Sequence, residues 1–338
     1  MICHFEKAVF KNLQIILEIS FQLVPVTHII FMIICWISIF VYLRILVIVY
    51  TRRQKEFKSS FFLIIKLHAI TDILMFLFVE FVARPRKYHI HNLLCPVTDH
   101  WLPQFIYFSQ TTIKNTMFLG YLVVAVNRFT VVFIPKYHEQ IWTPMIISII
   151  YALEWLIPST TLYQLFYNTG NHNFSFLASP NGGLSMRTNP DFMKLDALQD
   201  FIISTACFLI STLLYFSTFV FLWKNRNSRS QRSIRLSPTS LQKVPSTELI
   251  IFKCAFFSFL LFIPNFAKTT VLYVATEGNP DVTKLPTDLW YFTTELMCIS
   301  SCWSLLLSSR RLREEFFPQL RNPFSASIIG TTSHTGSS

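Results

Sequence analysis

Long apolar segments separated by short polar ones dominate this chain. A helix needs about 20 mostly apolar residues to cross a hydrocarbon core of about 30 Å. Seven segments pass that test, and we number the predicted helices one to seven in chain order. They cover residues 24–50, 60–82, 103–127, 143–166, 197–223, 249–273 and 289–309. Unpaired backbone groups are costly in lipid, so runs of this length can cross only as helices. The pattern predicts an all-α membrane protein built as a seven-helix bundle.

Polar segments frame this membrane domain at both ends. Residues 24–309 form the domain, and residues 1–23 precede it as a short N-terminal segment on the outer side. Residues 310–320 place four apolar side chains on one helical face, as an amphipathic helix at a membrane surface does. These side chains are Leu312, Phe316, Phe317 and Leu320. Residues 321–338 are rich in Ser and Thr and are expected to form a disordered tail.

The Lys and Arg residues between the helices indicate the orientation of the bundle. The segments on the side of the C-terminus carry 16 of them, and the segments on the opposite side carry 8. Since cytoplasmic segments are enriched in Lys and Arg, the N-terminus is predicted outside and the C-terminus inside. The first outer loop is predicted to contain three basic residues, Arg84, Arg86 and Lys87, which weaken this bias locally. The sequon at Asn173 falls in the second outer loop, where it is open to glycosylation, although a lone sequon also arises by chance.

Composition narrows the possible function classes. Only 14% of the residues are charged and 52% are hydrophobic, whereas roughly a quarter of the residues of soluble proteins are charged. The net charge of +11 comes mainly from the connecting segments, so it reflects topology and not nucleic-acid binding. The phosphate-binding loop, the nucleophile elbow and the zinc-peptidase motif are absent from the sequence. An enzyme is therefore the weakest function class, and no cofactor is expected.

The first outer loop holds the nearest approach to a metal site. His89, His91, Cys95 and His100 offer imidazole and thiol groups, but their spacing matches no common zinc site. We therefore expect no bound metal. Cys95 either forms a disulfide with Cys3 or stays free.

The inner end of helix three carries the most informative motif. Asn127, Arg128 and Phe129 are followed by Pro135, seven residues after the arginine. This arrangement resembles the Asp-Arg-Tyr motif of rhodopsin-like receptors, whose arginine holds the inner ends of helices three and six together until a G protein docks. An arginine at a membrane boundary also occurs as a plain topology signal. The helix count, the orientation and the proline spacing favour the receptor interpretation.

The longer stretch LVVAVNRFTVVFIPKYHEQIW resembles the nematode chemoreceptors of the Srg superfamily, serpentine receptor classes gamma and V. Lys136, Tyr137 and Trp142 contribute to the likeness, which extends over about residues 24–320. The resemblance implies a chemosensory G-protein-coupled receptor in the plasma membrane of a sensory neuron or cilium. It implies a small external ligand, a heterotrimeric G protein and the lipid bilayer as partners, and no nucleic acid. The choice between the two classes stays open.

Ionisable residues in the outer half of the bundle are the candidates for ligand binding. Lys114 lies 14 residues before Arg128, which is about 21 Å along a helix and places it at the depth expected of a ligand. A charge at this depth is costly and is retained mainly for function. The other candidates lie near outer helix ends, where long side chains also reach the interface by snorkelling. They are Glu80, Lys268 and Glu295.

Several residues are candidates for a conformational switch. Phe262, which we also assign to the ligand site, precedes Pro264 by two positions in helix six. It occupies the place of the aromatic toggle in rhodopsin-like receptors, and the proline predicts a kink. Asp72 lies near the middle of helix two, where it is either a switch or a hydrogen-bonded structural acid. Glu248, at the start of helix six, is placed to pair with Arg128, because the residue before the arginine is neutral.

A transporter or a ligand-gated channel is the alternative function. Charged residues within a membrane domain also mark ion pathways. The sequence shows no inverted repeat and no matching pair of Gly-interrupted helices, which disfavours a transporter.

Overall fold

The computed structural model describes most of the predicted bundle. The described residues are 26–51, 57, 59–87, 101–168, 174–178, 184–232, 256, 259–260, 263, 266–267, 270 and 280–317. Within them the chain is almost entirely helical, as the apolar pattern predicts. We call the end of the bundle that carries Arg128 the inner end and the opposite end the outer end. Both names follow the predicted orientation.

Six of the predicted helices have described bounds. They are helix one (Val26–Thr51), helix two (Ser60–Phe78), helix three (Trp101–Phe133), helix four (Pro144–Asn168), helix five (Pro190–Arg232) and helix seven (Pro280–Ser308). An inner-loop helix, Pro135–Ile141, joins helix three to helix four, and a terminal helix, Arg310–Phe316, follows helix seven. Helices one to five are long and apolar enough to cross a membrane, and helix seven contributes a shorter apolar stretch, Phe292–Leu307. The described positions of helix six are helical.

Helix two is longer than the apolar pattern predicts. A π-helical turn, Val79–Ala83, follows its regular part, and one more helical turn runs to Lys87. Arg84 therefore lies buried on a helical turn and not in the first outer loop. The sequence prediction is wrong here because a positive charge near an apolar boundary is typical of a loop, whereas two carboxylates compensate this one.

The second outer loop contains a hairpin that the apolar pattern does not predict. Strands β1 (Ser175–Ala178) and β2 (Leu184–Arg187) pair in antiparallel fashion. Phe174, just before β1, and Phe176, within it, are both buried. Phe176 packs with Ile106 of helix three, so the hairpin lies over the outer end of the bundle.

Apolar side chains fill the bundle in two main clusters. The larger one joins helices one, two, three, five and seven through residues such as Met75, Phe118 and Met297. The second lies nearer the inner end and joins helices one, two and seven to the terminal helix. Many large apolar side chains on the outside of the helices stay exposed, which is typical of a surface that contacts lipid.

The terminal helix forms the first part of the predicted amphipathic segment. Leu312 and Phe316 are buried in the second cluster, whereas Phe317, assigned to the same face, lies past the end of the helix and is exposed. Arg44 of helix one donates a hydrogen bond to the Phe316 carbonyl at 2.9 Å and lies over its ring, 4.4 Å from the centroid. These contacts hold the terminal helix against helix one.

Candidate ligand-binding and signalling sites

A buried ion pair links helix three to helix five in the outer half of the bundle. The ammonium of Lys114 contacts one carboxylate oxygen of Asp200, and Asn115 donates to the other at 3.1 Å. The side chains of Lys114 and Asp200 are only 11% and 13% exposed. One turn further out, the hydroxyl of Tyr107 donates to Asp196. Lys114 therefore faces the bundle interior, and Asp200 balances its charge.

A second buried cluster joins helix two to helix seven. Arg84 contacts the carboxylate of Glu295 and pairs at 2.9 Å with Glu80, one turn away on its own helix. All three side chains are buried. The structure thus brings two predicted ligand candidates, Glu80 and Glu295, together around one guanidinium. Lys114 belongs to the separate cluster on helices three and five.

An aromatic cluster lies outward of the Lys114 pair. Phe174 beside the hairpin packs with Phe166 of helix four, Phe192 of helix five and Tyr107 of helix three. The ring centroids of these residues lie between 5.0 and 5.6 Å apart. Because the Tyr107 hydroxyl also donates to Asp196, the aromatic cluster and the polar cluster share a side chain.

Arg128 is buried against an aromatic ring at the inner end of helix three. Its guanidinium lies over the ring of Phe61 of helix two, 3.5 Å from the centroid, and the residue is 4% exposed. The buried Tyr215 of helix five lies within electrostatic range of the same charge. Phe129 stacks on Phe133 of its own helix at 4.3 Å. A cation–π contact with helix two therefore restrains the arginine in this structure.

Asn127 belongs to a hydrogen-bond network that connects helices two and three to the inner-loop helix. Its amide donates to Ser60 at 3.4 Å, and Ser60 contacts Nε2 of His138 at 3.0 Å. Thr130 contacts Nδ1 of that imidazole at 3.1 Å, donates to the Asn127 carbonyl at 2.9 Å and accepts from Trp142 at 2.7 Å. Because Thr130 gives its one hydrogen to the carbonyl, Nδ1 of His138 must donate to it. With this proton on Nδ1, the ring of His138 links Thr130 to Ser60.

Pro135 is the first residue of the inner-loop helix. Proline at this position is favourable because its missing N–H would have no partner within the helix. Pro135, Lys136 and Tyr137 are all exposed, and no residue of this helix is buried. The inner-loop helix therefore presents an accessible surface next to the end of helix three.

Asp72 has a partner on helix one. Its carboxylate accepts a hydrogen bond from the Tyr42 hydroxyl at 2.9 Å, and both side chains are buried. This bond fits both alternatives left open by the sequence, a structural acid and a switch. A role in switching remains a proposal.

Several predicted residues and segments lie outside the described residues. They are Lys268, Phe262, Pro264, Glu248, Asn173, His89, His91, Cys95, His100, Cys3, Leu320 and the terminal segments 1–23 and 321–338. Within the described part of the chain, no group of three or more metal-ligating side chains converges on one point.

Sequence reasoning missed several residues that the structure places at these sites. Asp196 and Asp200 lie four positions apart at the outer end of helix five, a spacing that puts both on one face and was the available signal. Glu154 lies in the middle of helix four and faces His68 of helix two at 3.4 Å. A carboxylate in the middle of a membrane span is energetically costly, so the position of Glu154 was a further indication available in the sequence. Nothing in the sequence marked Phe61 as part of a site, because it looks like any phenylalanine that only packs in an apolar segment.

Comparisons with known proteins point to the same architecture. Residues 31–322 match the family model described as serpentine type 7TM GPCR chemoreceptor Srv. Serpentine receptor class V-1 of Caenorhabditis elegans is 25% identical over 299 residues, which are 84% of this chain and 86% of that receptor. The family is a seven-transmembrane one, so the prediction of an all-α seven-helix bundle is confirmed. Of the two receptor classes left open by the sequence, the match is to class V. This multi-pass membrane chain therefore belongs to the Srv family of serpentine chemoreceptors.

Proposed function

We propose that this protein binds a small external chemical among the outer halves of its helices and activates a heterotrimeric G protein through its inner end. One observation carries the proposal. Helix three holds two buried charges at different depths in the bundle, Lys114 in the outer half and Arg128 at the inner end. The two are about 21 Å apart along one helix. A single element thus connects the polar outer cluster with the inner surface.

The outer ion pairs support ligand binding. The Lys114–Asp200 pair joins helix three to helix five, and the Arg84–Glu295 pair joins helix two to helix seven. Buried pairs add little net stability, because the loss of hydration offsets their attraction. Within a membrane bundle such groups mark functional sites. A ligand that engages one partner changes the contact between two helices, which is the differential interaction that a conformational change requires.

The inner end supports coupling to a G protein. Arg128 is covered by Phe61, while the inner-loop helix beside it is exposed. In the proposed active state, helix three shifts relative to helix two and the guanidinium leaves the ring. The arginine is then available to helix six or to the G protein.

The proposed location is the plasma membrane of a sensory neuron or its cilium, with the N-terminus outside. The excess of Lys and Arg on the side of the C-terminus supports this orientation. Membership of a chemoreceptor family supports a sensory cell.

A transporter or ligand-gated channel is the second candidate, and the buried charges are the observation that favours it. Among the described residues, two buried cations of the outer half, Arg84 and Lys114, each pair with an acid on another helix. That arrangement suits a switch between two packings better than a continuous water-lined path.

A ligand screen in cells tests the proposal. Cells that display the full-length chain are exposed to a panel of small chemicals with a calcium or cyclic-nucleotide readout, beside cells with Arg128→Ala at an equal surface level. At least one chemical is expected to evoke a response that Arg128→Ala abolishes. A ligand-gated current that persists in Arg128→Ala would support the channel instead.

A further inference from the structure

Two acids share one guanidinium near the outer end of the bundle, where the turns that continue helix two meet helix seven. A single nitrogen of Arg84, Nη2, lies 2.9 Å from a carboxylate oxygen of Glu80 and also contacts the carboxylate of Glu295. The side chains of Glu80 and Glu295 are only 5% and 1% exposed, and that of Arg84 is 7% exposed. Two carboxyl groups thus converge on one cation in surroundings that water hardly reaches.

The charges described for this cluster do not balance if both acids are ionised. The ion pairs described for Glu80 and Glu295 all go to Arg84. Cys35 of helix one and Cys298 of helix seven also lie within electrostatic range of Glu295, and a thiol adds no positive charge. One guanidinium balances one carboxylate, so the other acid would be a buried charge without a counterion. Such a charge is so costly in an apolar interior that an acid takes up a proton instead.

The contact between the two acids shows where that proton belongs. The carboxyl groups of Glu80 and Glu295 lie within hydrogen-bonding distance of each other. Ionised carboxylates only accept hydrogen bonds, so a bond between the two groups requires a proton on one of them. The buried oxygen Oε2 of Glu295 receives no hydrogen bond from the described donors, which leaves it available for this proton. Geometry and charge balance therefore lead to the same count of one proton for two acids.

We propose that Glu80 and Glu295 bind one proton between them and exchange it with the medium outside the membrane. With the proton bound, one neutral acid and one carboxylate face Arg84, and the three groups have no net charge. Without it, two carboxylates repel each other across the contact between helices two and seven. The pair is thus a proton-binding site that makes this contact sensitive to external pH, and it does not depend on the proposed signalling function.

The location of the pair near the outer end of helix two suits exchange with the medium. The helical turns that continue helix two end at Lys87, seven residues after Glu80, which is a distance of about 10 Å along a helix. The π-helical turn Val79–Ala83 includes Glu80 and ends directly before Arg84. Single π-helical turns within α-helices are frequent at functional sites. The irregular turn therefore lies at the point where this helix holds its buried acid and its guanidinium.

Infrared difference spectroscopy tests the shared proton in the full-length protein in phosphatidylcholine nanodiscs. A protonated carboxyl group has a C=O stretching band that a carboxylate lacks, and the band shifts in heavy water. Glu80→Gln and Glu295→Gln should each remove the same band, because either variant leaves one carboxylate for one guanidinium. Arg84→Gln should instead increase its intensity about twofold, since both acids must then be neutral.

A control variant and a pH series complete the test. Glu139→Gln is the matched control, because Glu139 is exposed on the inner-loop helix, and this variant should keep the band. In the parent protein, a rise in the pH of the medium should remove the band while the amide bands show that the helices are intact. The same rise should leave the spectrum of Glu295→Gln unchanged at that position.

Three results would overturn the proposal. If neither Glu80→Gln nor Glu295→Gln removes a carboxyl band, both acids are ionised in the parent. If only one of the two variants removes it, that acid is neutral by itself and the proton is not shared. If the band of the parent persists up to the pH at which the protein unfolds, the proton does not exchange with the medium. This last result is measured on the parent and remains decisive if a variant does not fold.

Discussion

At the scale of single residues, the two buried charges of helix three make different kinds of contact. Lys114 is neutralised by the carboxylate of Asp200 and supported by an amide. Arg128 lies on the ring of Phe61, which attracts a cation much less strongly than a carboxylate does. Substitutions in the Lys114–Asp200 pair should therefore affect folding as well as ligand binding. Substitutions in the contact between Arg128 and Phe61 should instead shift the equilibrium between the inactive and active states.

The Lys114–Asp200 pair gives the first prediction. Lys114→Leu alone leaves Asp200 buried without its cation, and breaking a buried pair costs about 3–5 kcal/mol, so the surface level should fall. Lys114→Leu combined with Asp200→Leu should restore the surface level while the response to an identified agonist stays lost. Surface labelling and dose–response curves measure both effects. If the double variant responds like the parent, the pair lies outside the ligand site.

The contact between Phe61 and Arg128 gives the second prediction. Phe61→Leu removes the cation–π contact, which contributes about 0.5–2 kcal/mol, and should raise basal signalling about twofold to thirtyfold. Phe40→Leu is the control, because that phenylalanine is exposed on the outside of helix one. Basal G-protein activation is compared at matched surface levels. If Glu248→Gln raises it and Phe61→Leu does not, the restraint is the acid and not the ring.

The depth of a charged residue could be predicted from the sequence, but its partner could not. The depths of Lys114 and Arg128 follow from the rise of a helix, and their importance follows from the cost of a charge in lipid. Asp200 and Phe61 become their neighbours through the rotation of helices five and two, which the packing of the whole bundle determines. Glu154 could have been identified from its position alone, by the reasoning that identified Asp72.

At the scale of the elements, hydropathy predicted where helices cross the membrane but not where they end. Helix three runs from Trp101 to Phe133 and helix five from Pro190 to Arg232, both beyond their apolar cores. A helix continues outside the hydrocarbon as long as its backbone bonds are favourable, and polar residues do not interrupt it. The π-helical turn of helix two and the hairpin depend on tertiary contacts, so the apolar pattern could not predict them.

The network around Thr130 gives an element-scale prediction. Thr130→Val removes the hydroxyl that serves His138 and Trp142, and each lost bond costs about 0.5–1.5 kcal/mol. The Tm of the purified protein should fall by several degrees. Thr212→Val is the control, since that exposed hydroxyl bonds only to the Phe208 carbonyl of its own helix among the contacts described for it. Equal Tm values for the two variants would mean that the network does not hold the inner-loop helix.

At the scale of the whole molecule, the orientation of the bundle is the first property to measure. The bias of Lys and Arg predicts an external N-terminus and a cytoplasmic C-terminus. Epitope tags at the two ends should therefore stain differently in intact cells, the N-terminal tag without permeabilisation and the C-terminal tag only after it. The opposite staining would invert the chain and exclude G-protein coupling through Arg128.

The identity of the ligand follows from neither the sequence nor the fold. Seven apolar segments are enough to predict the bundle, because lipid allows few alternatives to a helix. In the proposed function the ligand binds at the outer polar clusters, whose cations Lys114 and Arg84 already pair with acids of the protein. The ligand must therefore be found by screening and cannot be read from an unpaired group.

Nucleotide exchange on a purified heterotrimeric G protein tests the central claim most directly. The full-length receptor is reconstituted in nanodiscs with an agonist from the screen. Arg128→Ala is compared with the parent at equal receptor concentration, and the Tm of each protein is measured to show that both are folded. The parent should accelerate exchange only when the agonist is present, and Arg128→Ala should reduce that acceleration at least about tenfold, the effect of one lost charged contact. Agonist binding without any acceleration of exchange by the parent, across the available G-protein subtypes, would contradict the claim.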